Sequence, residues 1–458
     1  MQNFVFHAST EVTFDPAADT EVLAEFWNGF CSRAGVLVPK TGEPNRISIG
    51  TPTFLPLADG EEYTVCIRPE GVGILGRDLP TLSRGFSAFL MQIETIGKDT
   101  FRAGCRDLHG SFSVRRRMIH LCVFPNTTLQ SLRRLVRLCG ILAYTHVVIE
   151  FWGMLHLDAM KELAWENAYT KAEIRPILRE ARAMGMEPIP MMNQLGHAAG
   201  CRLSCGKHVV LDQNPRLQSL FTPDGWCWSV FSPEVQTLLK KVRAELCELF
   251  GSGEYFHIGC DEAYMYSSGY FPLSGLVNYL KNLTAEVVAE GRRPILWGDM
   301  IIPYETSSEN ADVRAAAWEK AKTMRPLLDA LHPQSIIADW QYDIKTAPIP
   351  STEAFAKSGF DTIGCPWDQT GNIDAMYDTA LSCNLYGLMM TTWHTLSEGI
   401  HSVLYFARKC GAAKALWSDH AGHPKLETAV LLRKLSPEGL PYEETGYRVR
   451  QIVESGNG

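Results

Sequence analysis

No stretch of the 458 residues comes near the roughly 18 consecutive apolar positions of a membrane-spanning helix, and none is expected. A basic surplus is also missing. Lys and Arg number 43 against 51 Asp and Glu, a formal charge of −8, which excludes the electrostatic footprint that sequence-independent nucleic-acid binding requires. No GxGxxG follows any candidate strand, which argues against a dinucleotide-binding, doubly wound sheet. The opening residues, MQNFVFHASTEVTFDP, hold neither a basic n-region nor an apolar h-region and do not read as a secretory signal. The 13 cysteines are odd in number, and most sit inside apolar runs such as IHLCVF and RLCGIL, the pattern of reduced, buried thiols. A cytoplasmic location is the expectation. Cys201 and Cys205 form a CxxxC without a second Cys or His pair at zinc-finger distance, so no structural zinc is expected there.

What the chain does have is a change of texture near residue 110. Before it, ISIGTPTF, EYTVCIRPE and GVGILGRD alternate as half-buried antiparallel strands do, with a tight turn at 69–71. The segment LPTLSRGFSAFLMQIETI that follows has apolar residues at helical spacing, which predicts a helix over one face of that sheet. Residues 1–108 therefore read as a small α+β accessory domain. Beyond it, eight apolar strand candidates (117–124, 145–152, 187–194, 254–262, 293–300, 335–343, 360–368 and 386–394) alternate with amphipathic segments such as SPEVQTLLKKVRAELCELF. That alternation predicts a (β/α)8 TIM barrel over 109–412, followed by a helical tail over 413–458.

The barrel prediction gives the polar residues at strand ends a meaning, because active sites of such barrels lie at the C-terminal ends of the strands. Those ends carry Glu150, Asn193, His197, Asp261, Glu262, Asp299, Trp340, Tyr342, Trp367, Asp368, Trp393 and His394. The sharpest feature is YFHIGCDEAY, a buried strand ending in Asp261 and Glu262. Adjacent acids at a barrel mouth can divide general acid/base work if one stays ionised while the other carries a proton. In a purely structural role, Asp261 caps the following helix.

FHIGCDE resembles the H-x-G-G-D-E signature of glycoside hydrolase family 20, the β-N-acetylhexosaminidases, with Cys260 in place of the second glycine. EEYTVCIRPEGVGILGRDLPTLSRGFSAFLMQIE is similar to the family's accessory domain, RRRMIHLCV to its first barrel strand and PIPMMNQLGH to its third. The resemblance implies hydrolysis in which the substrate's own 2-acetamido carbonyl attacks the anomeric carbon. Glu262 is then the general acid and base, and Asp261 the carboxylate that holds the acetamido N–H. It further implies Arg116 as the grip on the sugar's 3- and 4-hydroxyls. His197 becomes a support for the acid through Glu150. Trp340 and Trp393 become pocket walls, with Tyr342 donating to the acetamido oxygen. Trp297, Asp299, Trp318, Trp367 and Asp368 are further candidates for the pocket.

The chain departs from the family pattern where Trp393 is followed by His394 and Thr395 instead of x-Glu, and where the seventh strand lacks Tyr-x-Asp. These changes leave the sugar epimer and any 6-substituent open. The expected partner is a small glycan, with no nucleic acid, no membrane, no cofactor and no metal; a homodimer is compatible with the sequence. Two other functions compete. One is a metal-dependent barrel hydrolase using His120, His197, His257, His394 and Asp261, which the lack of an HxH pair weakens. The other is a non-catalytic sugar-binding barrel, which the retained acid pair opposes.

Overall fold

The computed structural model describes residues 2–7, 10–14, 23–24, 46–50, 61–97, 100–110, 112–198, 214–267, 271–302, 325–393 and 400–410. The chain divides into two compact units between Gly110 and Ser111. The expected tail over 413–458 lies outside the described residues, as do Cys201, Cys205, Trp318 and His394.

In the first unit, a five-stranded sheet runs in the order β2 (Glu11–Phe14), β3 (Arg46–Gly50), β5 (Gly71–Gly76), β4 (Tyr63–Arg68) and β8 (Arg106–His109). The β4–β5 hairpin is antiparallel, as its spacing predicts, but β3 pairs with β5 in parallel register, Ile47 opposite Val72. The sheet is therefore mixed instead of antiparallel, because β4 comes to lie on the far side of β5 and leaves β3 beside it. The predicted helix is α1 (Leu79–Gln92). Its N-terminus is fixed by a capping box in which Thr81 N donates to Asp78 Oδ1 at 2.9 Å and Asp78 N donates to Thr81 Oγ1 at 3.0 Å. A second sheet, β1 (Asn3–His7), β7 (Thr100–Gly104) and β6 (Glu94–Gly97), was not foreseen; Phe6 and Phe101 stack across it at 5.3 Å.

The second unit is a closed barrel of eight parallel strands. They are β9 (Arg117–Val123), β10 (His146–Phe151), β11 (Glu187–Met191), β12 (Tyr255–Gly259), β13 (Arg293–Trp297), β14 (Ile336–Trp340), β15 (Asp361–Cys365) and β16 (Gly387–Thr391). All eight fall inside the segments read from the sequence. All seven residues of β9 are buried, as a strand covered on both faces requires. Inward-pointing residues stack in layers, among them Met118, Val148, Tyr255, Ile295, Trp297, Trp340 and Met389. Outside them run α2 (Leu129–Ile141), α3 (Lys171–Ala183), α4 (Pro233–Phe250), α5 (Leu273–Ala289), α6 (Pro350–Lys357), α7 (Thr370–Cys383) and α8 (Ile400–Lys409). Helix α3 shows how the sequence turns one face inward: Thr170 and Glu173 close a capping box, and Ile174, Ile177, Leu178 and Ala181 are buried at helical spacing.

One buried cation ties the outer layer to the segment after β11. Arg243 of α4 donates through Nη1 to Gln194 Oε1 at 3.0 Å and through Nη2 to Glu286 of α5 at 2.6 Å and to Glu290, which caps the C-terminus of α5, at 3.0 Å. Gln194 in turn is held by its backbone N–H on Ile258 O at 2.9 Å and by Tyr279 Oη on its own carbonyl at 2.6 Å. Removing the guanidinium lets Glu286 and Glu290 regain water but leaves Gln194 Oε1 buried without its donor, at a cost of about 1–3 kcal/mol. Arg243→Ala is therefore expected to lower the urea unfolding free energy by that amount, while Glu286→Ala, at the more exposed end, changes it by less than about 1 kcal/mol. Equal effects of the two substitutions would contradict this assignment.

Candidate active site

The acid pair sits where β12 ends, and the backbone there is unusual. Gly259, Cys260 and Glu262 all have positive φ, at 64°, 73° and 47°. Six described non-glycine residues have positive φ, and four of them, His197, Cys260, Glu262 and Trp393, lie at this rim. Left-handed backbone costs a non-glycine residue roughly 1–2 kcal/mol, so the strain is concentrated where the chemistry is. It also accounts for the glycine that stands at the position of Cys260 in the H-x-G-G-D-E signature that this strand end resembles. Gly259 has no freedom to be anything else: a Cβ there would overlap the Asn193 amide oxygen, which accepts the Cys260 N–H at 2.9 Å. Gly196 plays the matching part across the gap, since a Cβ on it would overlap the Asp261 carbonyl.

The close approach brings His197 onto both acids. Its Nε2 lies 3.2 Å from Asp261 Oδ2 and 3.0 Å from Glu262 Oε2. Asp261 is nearly inaccessible, whereas the Glu262 side chain is 19% exposed, so Glu262 is the acid open to an incoming group. The imidazole is held in place by aromatic rings, with Trp226 at 4.5 Å and Trp152 at 6.4 Å. Trp226 Nε1 also donates to the Glu262 carbonyl at 2.7 Å. Behind His197 an apolar hollow is lined by Trp152, Leu155, Met160, Met192, Trp228 and Leu246. Trp152 and Trp226 were absent from the sequence-based candidates. The signal for Trp226 was its place in the turn-rich segment TPDGWCW.

Glu262 N donates to Asp299 Oδ2 at 2.8 Å, which fixes the strained residue from below. Asp299 is buried, and burial, followed by the negative charge of Asp261, raises its pKa well above the usual carboxylate range. Burial likewise pushes His257 down to about 3, with the neighbouring His120 adding to the effect. His257 is thus a neutral ring whose Nδ1 accepts the Gly259 N–H at 3.1 Å. The Cys260 thiol is also buried and its pKa raised, which makes it unreactive.

An aromatic wall completes the rim. Trp340 stacks on Tyr342 at 5.1 Å, Tyr342 meets Trp367 at 5.1 Å, and Trp393 lies 5.4 Å from Trp297. Trp393 Nε1 donates to Tyr342 Oη at 2.8 Å, joining the two halves. Trp297 is fully buried and serves as floor packing; Trp340 and the half-buried Tyr342, Trp367 and Trp393 lie nearer the surface. Asp368 is half-buried beside Trp367, and its carbonyl accepts Ser402 Oγ at 2.8 Å. Glu150 is buried and held by Asn193 Nδ2 at 3.2 Å, with His120 Nε2 at 3.3 Å and Cys122 Sγ at 3.6 Å, while His197 meets the acids directly.

Arg116 does not join this group. Its Nε donates to Tyr255 Oη at 3.2 Å and its guanidinium lies 3.7 Å from the centre of the Tyr386 ring. Tyr255 opens β12 and Tyr386 precedes β16, so Arg116 belongs to the N-terminal end of the barrel, opposite the acids. A residue just before a parallel strand lies at that end by construction.

A catalytic-domain model described as glycosyl hydrolase family 20 matches residues 148–420. A beta-hexosaminidase from Emericella nidulans is 20% identical over 319 residues, covering 58% of this chain and 53% of that protein. A lacto-N-biosidase from Bifidobacterium bifidum is 22% identical over 195 residues, 39% of this chain and 17% of that protein. The chain thus spans about half the length of the first relative and less of the second. Among solved structures, a GH20 exo beta-N-acetylglucosaminidase from Vibrio harveyi in complex with N-acetylglucosamine superposes with a TM-score of 0.67 at 15% identity, covering 96% of this chain and 77% of that one. A GH20 beta-N-acetylhexosaminidase from Streptomyces coelicolor A3(2) gives 0.64 at 16% identity, covering 97% and 93%. At such identities the superpositions show a shared fold.

Two expectations follow from this geometry. Gly259→Ala is expected to remove more than about 3 kcal/mol of stability, since positive φ and overlap with Asn193 act together. Asp299→Asn retains an acceptor for Glu262 N but cannot ionise. A buried acid with a raised pKa contributes stability that is full below its unfolded pKa near 4 and is lost as pH rises through its folded pKa. The asparagine variant should therefore gain thermal stability relative to wild type as pH rises from 4 to 9; a constant difference across that range would refute the assignment.

Proposed function

Because the chain belongs to glycosyl hydrolase family 20, we propose that it removes terminal β-linked N-acetylhexosamine from glycans by retaining, substrate-assisted hydrolysis. The observation that carries this reading is the shared histidine. Two carboxylates lie side by side, within 3.2 and 3.0 Å of one His197 Nε2. The usual glycosidase pair flanks the anomeric carbon from two sides, one carboxyl acting as acid and the other as base or nucleophile. Here the second side is left to the substrate's acetamido carbonyl.

In the first step Glu262 gives its proton to the glycosidic oxygen as the carbonyl oxygen bonds to the anomeric carbon and the aglycone departs. Asp261 accepts the acetamido N–H and balances the positive charge of the oxazolinium ring. In the second step Glu262, now a carboxylate, takes a proton from the attacking water, the ring opens and the acetamido group is restored. Tyr342 Oη accepts from Trp393 Nε1, so its own proton is directed elsewhere and suits the acetamido oxygen. Indole and phenol faces of Trp340, Tyr342, Trp367 and Trp393 suit the methyl group and the C–H face of a pyranose. With Arg116 at the other end of the barrel, the contacts to the 3- and 4-hydroxyls come from other residues, and the epimer and 6-substituent accepted are set by them.

Hydrolysis of an aryl 2-acetamido-2-deoxy-β-glycoside is the direct test. Glu262→Gln should lower kcat by at least about 10²-fold, the usual contribution of a positioned general acid, and Asp261→Asn should also reduce it strongly. Turnover of the 2-hydroxy analogue at an equal rate would overturn the substrate-assisted step. Gluco, galacto and 6-sulfated aryl substrates, compared by kcat/KM, would identify the sugar.

A further inference from the structure

Beneath the aromatic rim, three different ligand types converge inside the barrel. His120 and Cys122 are two apart on β9 and so face the same way, and Glu150 is the next-to-last residue of the neighbouring β10. All three are buried, and their ligating atoms lie within 4.8 Å of one another. We propose that His120, Cys122 and Glu150 form a binding site for a transition-metal dication of the zinc type, separate from the acid pair.

The spacing supports this more closely than it supports hydrogen bonding. A tetrahedral zinc with Zn–N and Zn–O near 2.0–2.2 Å and Zn–S near 2.3 Å holds N and O about 3.3 Å apart, and S about 3.6 Å from either. The observed separations are 3.3 Å for His120 Nε2 to Glu150 Oε2, 3.7 Å for Cys122 Sγ to His120 Nε2 and 3.6 Å for Cys122 Sγ to Glu150 Oε2. A charge-assisted N–H···O bond would close to about 2.7–2.9 Å, and the imidazole and carboxylate stand off from that distance.

Charge and surroundings agree. A dication bound by one thiolate and one carboxylate leaves the buried cluster neutral, and displaces the thiol proton to solvent as it binds. Asn193 Nδ2 donates to the other carboxylate oxygen, Glu150 Oε1, at 3.2 Å, as outer-shell partners of metal-bound carboxylates do. Thr392 Oγ1 anchors the His120 carbonyl at 2.7 Å, and the rings of Trp393 and Trp297 pack against the imidazole at 4.8 and 5.7 Å. Mixed N, S and O donors with three protein ligands suit zinc with one position left for water or a substrate oxygen. The metal would clamp β9 to β10 under the pocket floor.

Full-length protein stripped with chelator and titrated with Co²⁺ tests the site without using hydrolysis as the readout. One equivalent should bind with a thiolate-to-cobalt charge-transfer band, and Zn²⁺ should displace it. Cys122→Ser, whose fold is checked by circular dichroism, should lose the band. His120→Gln should weaken Co²⁺ binding by at least the roughly 10–100-fold that loss of an outer-shell partner costs. Glu262→Gln should leave the band intact, which separates this site from the acid pair. Absence of stoichiometric binding, or a band that survives in Cys122→Ser or disappears in Glu262→Gln, would overturn the proposal. The glycosidase reading stands or falls by its own assay.

Discussion

Where β12 ends, Gly259 and Cys260 take left-handed backbone one after the other, and consecutive carboxylates that strand geometry would send to opposite faces come to one imidazole instead. The neighbouring features at this rim serve that bend. Asn193 occupies the space a Gly259 side chain would need and accepts the Cys260 N–H. Asp299 accepts the Glu262 N–H, Trp226 donates to the Glu262 carbonyl, and Gly196 lets the segment after β11 touch the Asp261 carbonyl. A strained turn persists only when its surroundings over-determine it, and here backbone, side-chain and aromatic contacts all do so.

The same turn brings Asp261 and Glu262 to one histidine and sets a third carboxyl group, Asp299, against the Glu262 N–H. Burial holds Asp299 in its protonated form more readily than an ordinary aspartate, which limits the negative charge beneath the pair. His257, kept neutral by its burial, adds no compensating charge, so the electrostatics of the acids are left to His197 and to whatever binds. With Glu262 carrying the proton it gives up in the proposed first step, Asp261 is the carboxylate placed to meet positive charge that develops during reaction.

How much of this could be read in advance depends on whether the information is local. The eight barrel strands were legible because each is a continuous apolar run, and the acid pair because two carboxylates end one of them. The accessory sheet was less so: β3 and β5 pair in parallel through an order that alternation cannot encode. Arg116 was assigned by its position beside β9 in the chain, yet proximity to a strand says nothing until its end is specified, and this arginine packs on Tyr386 at the N-terminal end. Trp152 reaches His197 from the loop after β10, and Trp226 from nearly thirty residues farther along the same segment after β11, so neither contact has a local spacing to read. The polar trio under the pocket is not legible for a related reason: β9 supplies H-x-C and not H-x-H, and the third member comes from β10.

The trio and the acid pair also show how one barrel interior separates two kinds of chemistry. Inward residues form layers about two positions apart; Cys122 and Glu150 stand level on neighbouring strands, and His120 is one layer below them with Trp297 and Trp393 packed on its imidazole. Asn193 is the link between layers: one end of its amide holds Glu150 and the other holds the backbone of Cys260. An amide can serve both only in one orientation, with its nitrogen toward the carboxylate and its oxygen toward the N–H. The position of Glu150 and the bend that creates the acid pair are therefore set by the same side chain.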